Sequence, residues 1–157
     1  MAGEIGHLVV DPEGIPCNCG GRGCLEQYAS RVGLQKSVLR DRLFGALTEA
    51  AVSDPHLPQR LFEAAQAGDE RCRGYFEELG YRLAIAIGGV LNLLNLHTVI
   101  LAGGIARALP AFEPALLREL PGRAFPPVVA ACRIVVCELW EDAGVMGAAA
   151  LLQEPVG

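Results

Sequence analysis

The sequence predicts an α/β fold with a metal-bound loop set into its N-terminal end. Three observations carry that expectation. Apolar residues recur at steps of three and four across 69–96, the mark of one helical face. Two short β-branched runs, at 97–101 and 131–138, are separated by helix-like sequence. Near the start, His7 stands ten residues ahead of a C-x-C-x4-C run made of Cys17, Cys19 and Cys24. Zinc takes four tetrahedral nitrogen and sulfur ligands, and three thiolates with one imidazole make a closed structural set.

The loop around those ligands suits an ion. Residues 3–30 hold three of the six cysteines, and six of the 19 glycines. Gly20, Gly21 and Gly23 leave little side chain in the way and permit the turns a tight wrap demands. Disulfides are the competing reading. Cys17 and Cys19 are too close in sequence to pair without strain, while either could bridge Cys24 in an oxidising compartment. The N-terminus has no basic start followed by an apolar stretch, so a cytoplasmic protein with reduced thiols is expected.

In chain order, residues 5–10 are β-branched enough for a short strand or extended segment. A helix is expected over 26–40, with Leu25, Tyr28, Ala29, Val32 and Leu39 as an incomplete apolar stripe and Gly33 as its weak point. A second short helix is expected over 43–52. Residues 53–56 form a turn, and Pro58 suits the first position of a helix through 67. Gly68 ends that helix, and Asp69 offers a cap for the next. Over 69–96, Phe76, Leu79, Leu83, Ile87, Val90 and Leu94 line one face. Gly88 and Gly89 each cost about 1 kcal/mol in a helix interior, so another backbone is expected to approach there. Residues 97–101 read as a buried strand, broken by Gly103 and Gly104. Helix-like sequence runs on to Leu120, interrupted by Pro110 and Pro114, and prolines 121, 126 and 127 suggest a loop. A second strand at 131–138 and a closing helix of small residues at 144–152 complete the chain. Cys72, Cys132 and Cys137 read as buried, inert thiols.

At 157 residues, one domain is expected. Hydrophobic content of 52% with a mean hydropathy of +0.33 is high, and predicts an apolar interface with a second subunit or a further part of the same fold. A homodimer is therefore expected. A net charge of −5 and a single lysine, Lys36, argue against nucleic-acid binding by this segment. The longest apolar stretch, 83–91, is too short to cross a bilayer, so no membrane partner is expected.

Two readings fit Glu4. Three positions from His7, it either orients the metal-bound imidazole or accepts hydrogen bonds from a ligand hydroxyl. Glu26 is either a helix-start acid favoured by the dipole or a ligand acceptor. Gly103 and Gly104 make a strand-to-helix turn whose amides could face a ligand, or a plain tight turn. His56 and His97 lie in a turn and at a strand start, with no chemistry assigned.

GEIGH followed by CNCGGRGCLE resembles the signature of the ROK family (repressors, open reading frames and kinases), which includes bacterial glucokinases, fructokinases and N-acetylmannosamine kinases. The resemblance implies the C-terminal lobe of the actin-like ATPase (ribonuclease H-like) fold with an inserted zinc loop. It divides the chain into a zinc and sugar motif at 3–30, a helical part at 31–96 and a nucleotide-side part at 97–157. It implies that Glu4, His7 and Glu26 grip hexose hydroxyls, that His7, Cys17, Cys19 and Cys24 hold a structural Zn²⁺, and that ILAGGIA, with Gly103 and Gly104, contacts the adenosine of ATP. ATP and Mg²⁺ would act in an intact relative, where an Asp upstream of GEIGH serves as base and a D-x-G-G-T loop holds phosphate. Neither that loop nor a P-loop occurs in these 157 residues, so no catalytic residue is assigned and the chain alone is expected to be inactive. The repressor branch of the family implies an alternative, a sugar-sensing and oligomerising lobe without catalysis.

Overall fold

Asp69 starts the element on which the rest packs. Its carboxylate accepts from the backbone N–H groups of Arg71 and Cys72 at 2.9 and 3.0 Å, satisfying two donors that a helix start leaves open. The helix runs over Glu70–Leu94 and stops where Asn95 turns left-handed, at φ 49°. The structure, a computed structural model, describes residues 3–43, 45, 52–139 and 142–151. In order these form α1 (Glu26–Ala29), α2 (Arg31–Asp41), α3 (Leu57–Gln66), α4 (Glu70–Leu94), β1 (Thr98–Leu101), α5 (Leu109–Glu119), α6 (Pro126–Ala131), β2 (Arg133–Val136) and α7 (Ala143–Leu151). Short 3₁₀ turns stand at Ile5–His7, Gly104–Ala108 and Leu120–Gly122. The helix expected over 43–52 lies largely outside the described residues.

Helix α4 takes part in three apolar clusters, which is why its periodicity is so legible. Phe76 and Leu79 pack with Leu34 of α2, Leu61 of α3 and Phe112 of α5. Further along, Ala84, Ile87 and Leu91 meet Leu116 and Leu120. On another side, Ala86 meets Val10, Leu25 and Tyr28, which belong to the N-terminal loop and α1. Phe76 and Phe112 are each 1% exposed, and burying a side chain of that size is worth about 2–3 kcal/mol. A close backbone approach is found at Gly88, where an added Cβ would meet that of Arg123 at 2.6 Å, but not at Gly89, which has open space. The approach is also tight at Gly80, whose Cβ would meet that of Ala115 at 2.7 Å. Asn92 finishes the docking by bonding the Arg123 carbonyl and the Phe125 N–H.

Strands β1 and β2 pair in parallel, from Thr98 opposite Arg133 to Leu101 opposite Val136, and the chain crosses between them through α5 and α6. Several sequence expectations need correction. The strands are not buried on both faces, since Ile100 is 63% exposed. Prolines 126 and 127 open α6 rather than a loop, because a fixed φ and a missing N–H suit a first helical turn. The helix expected over 26–40 breaks at Ser30, not Gly33. Ser30 is extended and its hydroxyl accepts from the Gly33 N–H at 3.0 Å, capping α2. Residues 5–7 form a 3₁₀ turn, and only Val9, opposite Cys24, keeps the expected strand character. Cys72 is buried, its thiol pushed by burial up to about 11, but Cys132 and Cys137 are half-buried at the ends of β2. No helix among the described residues is long and apolar enough to cross a membrane.

Candidate functional site

The loop that carries the cysteines is closed first by its own backbone. Val10 and Asp11 N–H groups both donate to the Gly23 carbonyl, at 2.8 and 3.2 Å, and Leu25 N–H donates to the Leu8 carbonyl at 2.9 Å. Gly23 N–H donates to the Ile15 carbonyl at 2.8 Å, and Cys17 N–H to the Gly21 carbonyl at 2.9 Å. Two arms, 8–11 and 22–25, are thereby held together, with a single antiparallel bridge between Val9 and Cys24. His7 sits just ahead of one arm, Cys24 lies within the other, and Cys17 and Cys19 occupy the tip.

That closure brings the four expected ligands together. The imidazole nitrogen and three sulfurs of His7, Cys17, Cys19 and Cys24 all lie within 4.8 Å of one another. Cys17 Sγ is 3.7 Å from His7 Nδ1, and Cys19 Sγ is 3.6 Å from Cys24 Sγ. A tetrahedron with metal–sulfur arms of ~2.3 Å has sulfur-to-sulfur edges of ~3.8 Å, so the spacing fits a metal. It is far longer than the ~2.05 Å of a disulfide, and all six cysteines are free in this structure.

The donor set also asks for a cation. Burial pushes the Cys24 thiol up to about 12, while the Gly21 backbone donor draws Cys19 down. Hydrogen bonding with Cys17 holds the His7 imidazole above its usual value. Three thiols this close cannot all ionise unaided, whereas a coordinating dication deprotonates such sulfurs outright.

Glu26 opens α1 and reaches this cluster. Its Oε1 accepts from Cys17 Sγ at 3.0 Å and from Gln27 Nε2 at 3.0 Å, and the Cys17 contact is the main reason its carboxyl is held below the usual range. Glu4 is exposed just ahead of the 3₁₀ turn that ends in His7, whose N–H donates to the Glu4 carbonyl at 3.0 Å.

Gln27 and Lys36, to which the sequence assigns no site role, join them. Gln27 is only 3% exposed, and its amide oxygen accepts from Lys36 Nζ at 2.7 Å while its nitrogen holds Glu26. A glutamine beside a motif acid gives no local signal of burial, and its partner lies nine positions away. Gly103, at φ 87°, follows the carboxyl end of β1. With Gly104, Ser30 and Pro58 it lines a cleft of about 400 Å³. Glu26 and this cleft lie at opposite ends of α1. His56 and His97 take no part in the cluster.

The chain resembles known proteins along nearly all of its length. The chain is 33% identical to a glucokinase from Thermotoga maritima, over all of this chain and 51% of the relative. It superposes on a ROK family transcriptional regulator, a homolog of the E. coli MLC protein, with a TM-score of 0.79 and 28% identity, over 97% of this chain and 38% of that one. It superposes on a ROK family glucokinase from Streptomyces griseus, solved with glucose and AMPPNP, with a TM-score of 0.71 and 27% identity, over 96% and 51%. The ROK sugar kinases among such neighbours have the actin-like ATPase fold, and this chain is likewise mixed α/β. The chain thus spans about half the length of the kinases it matches. The profile of the ROK family matches residues 1–155, and the chain belongs to that family.

Proposed function

We propose that this chain is the zinc-bearing, sugar-binding C-terminal lobe of an ATP-dependent hexose kinase, most like a bacterial glucokinase. The observation that carries the reading is the gathering of His7, Cys17, Cys19 and Cys24 within 4.8 Å, with Glu26 touching Cys17. Zinc, when bound, supplies charge that holds three thiolates and one imidazole in place; its role is structural. His7 faces Cys17 through Nδ1, which leaves Nε2 for a hydroxyl. A thiolate at Cys17 no longer donates to Glu26, so Glu26 keeps Gln27 and gains room to accept from a sugar hydroxyl. Glu4 accepts from a neighbouring hydroxyl. Gly103 and Gly104 would meet the adenosine of ATP, with residues 3–30, 31–96 and 97–157 serving as sugar, helical and nucleotide-side parts. The likeness to glucokinases, one of them solved with glucose and AMPPNP, supports the assignment. Reduced thiols at the centre fit the cytoplasm.

The test pairs zinc analysis with calorimetric titration of glucose into the wild type, Glu4→Ala and Glu26→Gln. Both variants should keep their zinc and bind hexose about tenfold or more weakly; binding unchanged in both dismisses the sugar role. A second reading, the sugar-sensing and oligomerising lobe of a ROK repressor, is favoured by the superposition on a regulator. The reading frame upstream discriminates: D-x-G-G-T supports the kinase, a helix-turn-helix the repressor. A homodimer is proposed under either reading, and sedimentation as a monomer would remove it.

A further inference from the structure

Arg82 lies in the middle of α4, 72 positions from the loop residue whose carbonyl it grips. Its guanidinium is engaged on every side. Nη1 donates to the Val10 carbonyl at 2.8 Å, Nη2 to Asp11 Oδ2 at 2.9 Å, and Nε to Glu78 Oε1 at 2.6 Å. Its plane lies over the Tyr28 ring, 4.7 Å from the centroid. Asp11 Oδ2 also accepts from the Tyr28 hydroxyl at 3.0 Å, and that hydroxyl accepts from the Ile15 N–H at 3.3 Å. One cation therefore joins α4, α1 and the arm 8–11 of the metal loop.

These are the groups that set the ligand spacing. The N–H groups of Val10 and Asp11 hold the Gly23 carbonyl, immediately before Cys24. Ile15 receives the Gly23 N–H through its carbonyl and stands two residues before Cys17. Exposed arginine–carboxylate pairs contribute little, but here the Arg82 side chain is only 16% exposed and a single fork serves three acceptors. A glycine-rich loop loses much conformational freedom on ordering, and an anchor outside it lowers the part of that loss left to the metal.

We infer that Arg82, acting through Asp11 and Tyr28, is a positioning residue for the metal centre. The inference rests on the metal reading of the four-residue cluster. Lysine can stand in for it only in part, because an ammonium is a point donor without the planar fork.

The test is titration of Zn²⁺ into the reduced chain against a competing chromophoric chelator, with circular dichroism as a check on folding. Partners that orient metal ligands typically account for ~10–100-fold in affinity. Arg82→Met, acting at one remove, should weaken zinc by about tenfold at unchanged helical signal, and should speed zinc release. Arg82→Lys should recover only part of that loss. Tyr28→Phe, which removes one hydroxyl, should shift affinity less and in the same direction. Zinc affinity in Arg82→Met equal to wild type, with or without a fall in melting temperature, overturns the inference. Should Arg82→Met not fold, wild-type zinc affinity in both Arg82→Lys and Tyr28→Phe overturns it equally. A wild type that binds no zinc overturns the metal reading as well, which separates the two failures.

Discussion

Gly23→Ala probes the closure of the metal loop where it has least room. Gly23 has φ 65°, and a Cβ built there falls on the Asp11 carbonyl. A left-handed backbone costs an L-residue about 1–2 kcal/mol. Relieving the overlap pushes the arms 8–11 and 22–25 apart, and the Val10 and Asp11 bonds to Gly23 are worth about 1 kcal/mol each. The loss comes to about 3–4 kcal/mol, roughly two to three orders of magnitude in an equilibrium constant. Loop ordering and metal capture are one equilibrium in such centres, so the loss should appear in zinc affinity. Gly20→Ala is the matched control, with φ 90° but nothing within 4 Å of its Cβ. It should bear the backbone cost alone, about tenfold. Zinc competition on both variants decides the matter. Equal weakening in the two, or none in Gly23→Ala, would refute the reasoning.

Other perturbations reach other parts of the account. Glu26→Gln should weaken glucose by about tenfold or more in calorimetry, as expected on losing a charge-assisted acceptor, with zinc stoichiometry unchanged. Phe112→Ala empties the contact between α4 and α5 and should cost about 3–5 kcal/mol, lowering the thermal midpoint by roughly 10 °C or more. Asp69→Ala should lower the midpoint at neutral pH. The Asp69 carboxyl is held below its usual range, first by the Cys72 N–H. Its contribution is therefore complete above the unfolded value near ~4 and fades as pH falls through the lower folded one. Melting curves of wild type and variant should converge in acid. Chelator should lower the midpoint of the wild type and leave that of Cys24→Ser unmoved.

How much could be read from the chain alone depended on the sequence distance of each interaction. The four metal ligands lie within one stretch, 7–24, and their spacing is itself the chemistry, so the cluster was visible residue by residue. Helix α4 was visible because one long element packs on several neighbours, which forces a regular apolar period. The break at Ser30 is hard to read from sequence although a capping serine is present, because apolar residues stand on both sides of it at helical spacing and Gly33 draws attention as the weaker point. Prolines 126 and 127 suggest a loop by sequence, whereas the structure uses their other property, a fixed φ that suits a helix start. Arg82 was out of reach altogether. Its partners Val10 and Asp11 lie more than seventy positions away, and nothing in its local sequence sets it apart from any helix-surface arginine. The apolar excess signals an open surface but not its place at Ile100, since a β-branched strand reads as buried whichever of its faces is covered.

The central claim is that one ion gathers an imidazole and three sulfurs and so arranges the loop. X-ray absorption at the zinc edge, on chain purified without added metal and quantified by elemental analysis, addresses it most directly. The account predicts about one zinc per chain, with three sulfurs at ~2.3 Å and one nitrogen at ~2.0–2.1 Å. A folded chain without metal, or a zinc ringed by oxygen and nitrogen alone, would contradict it.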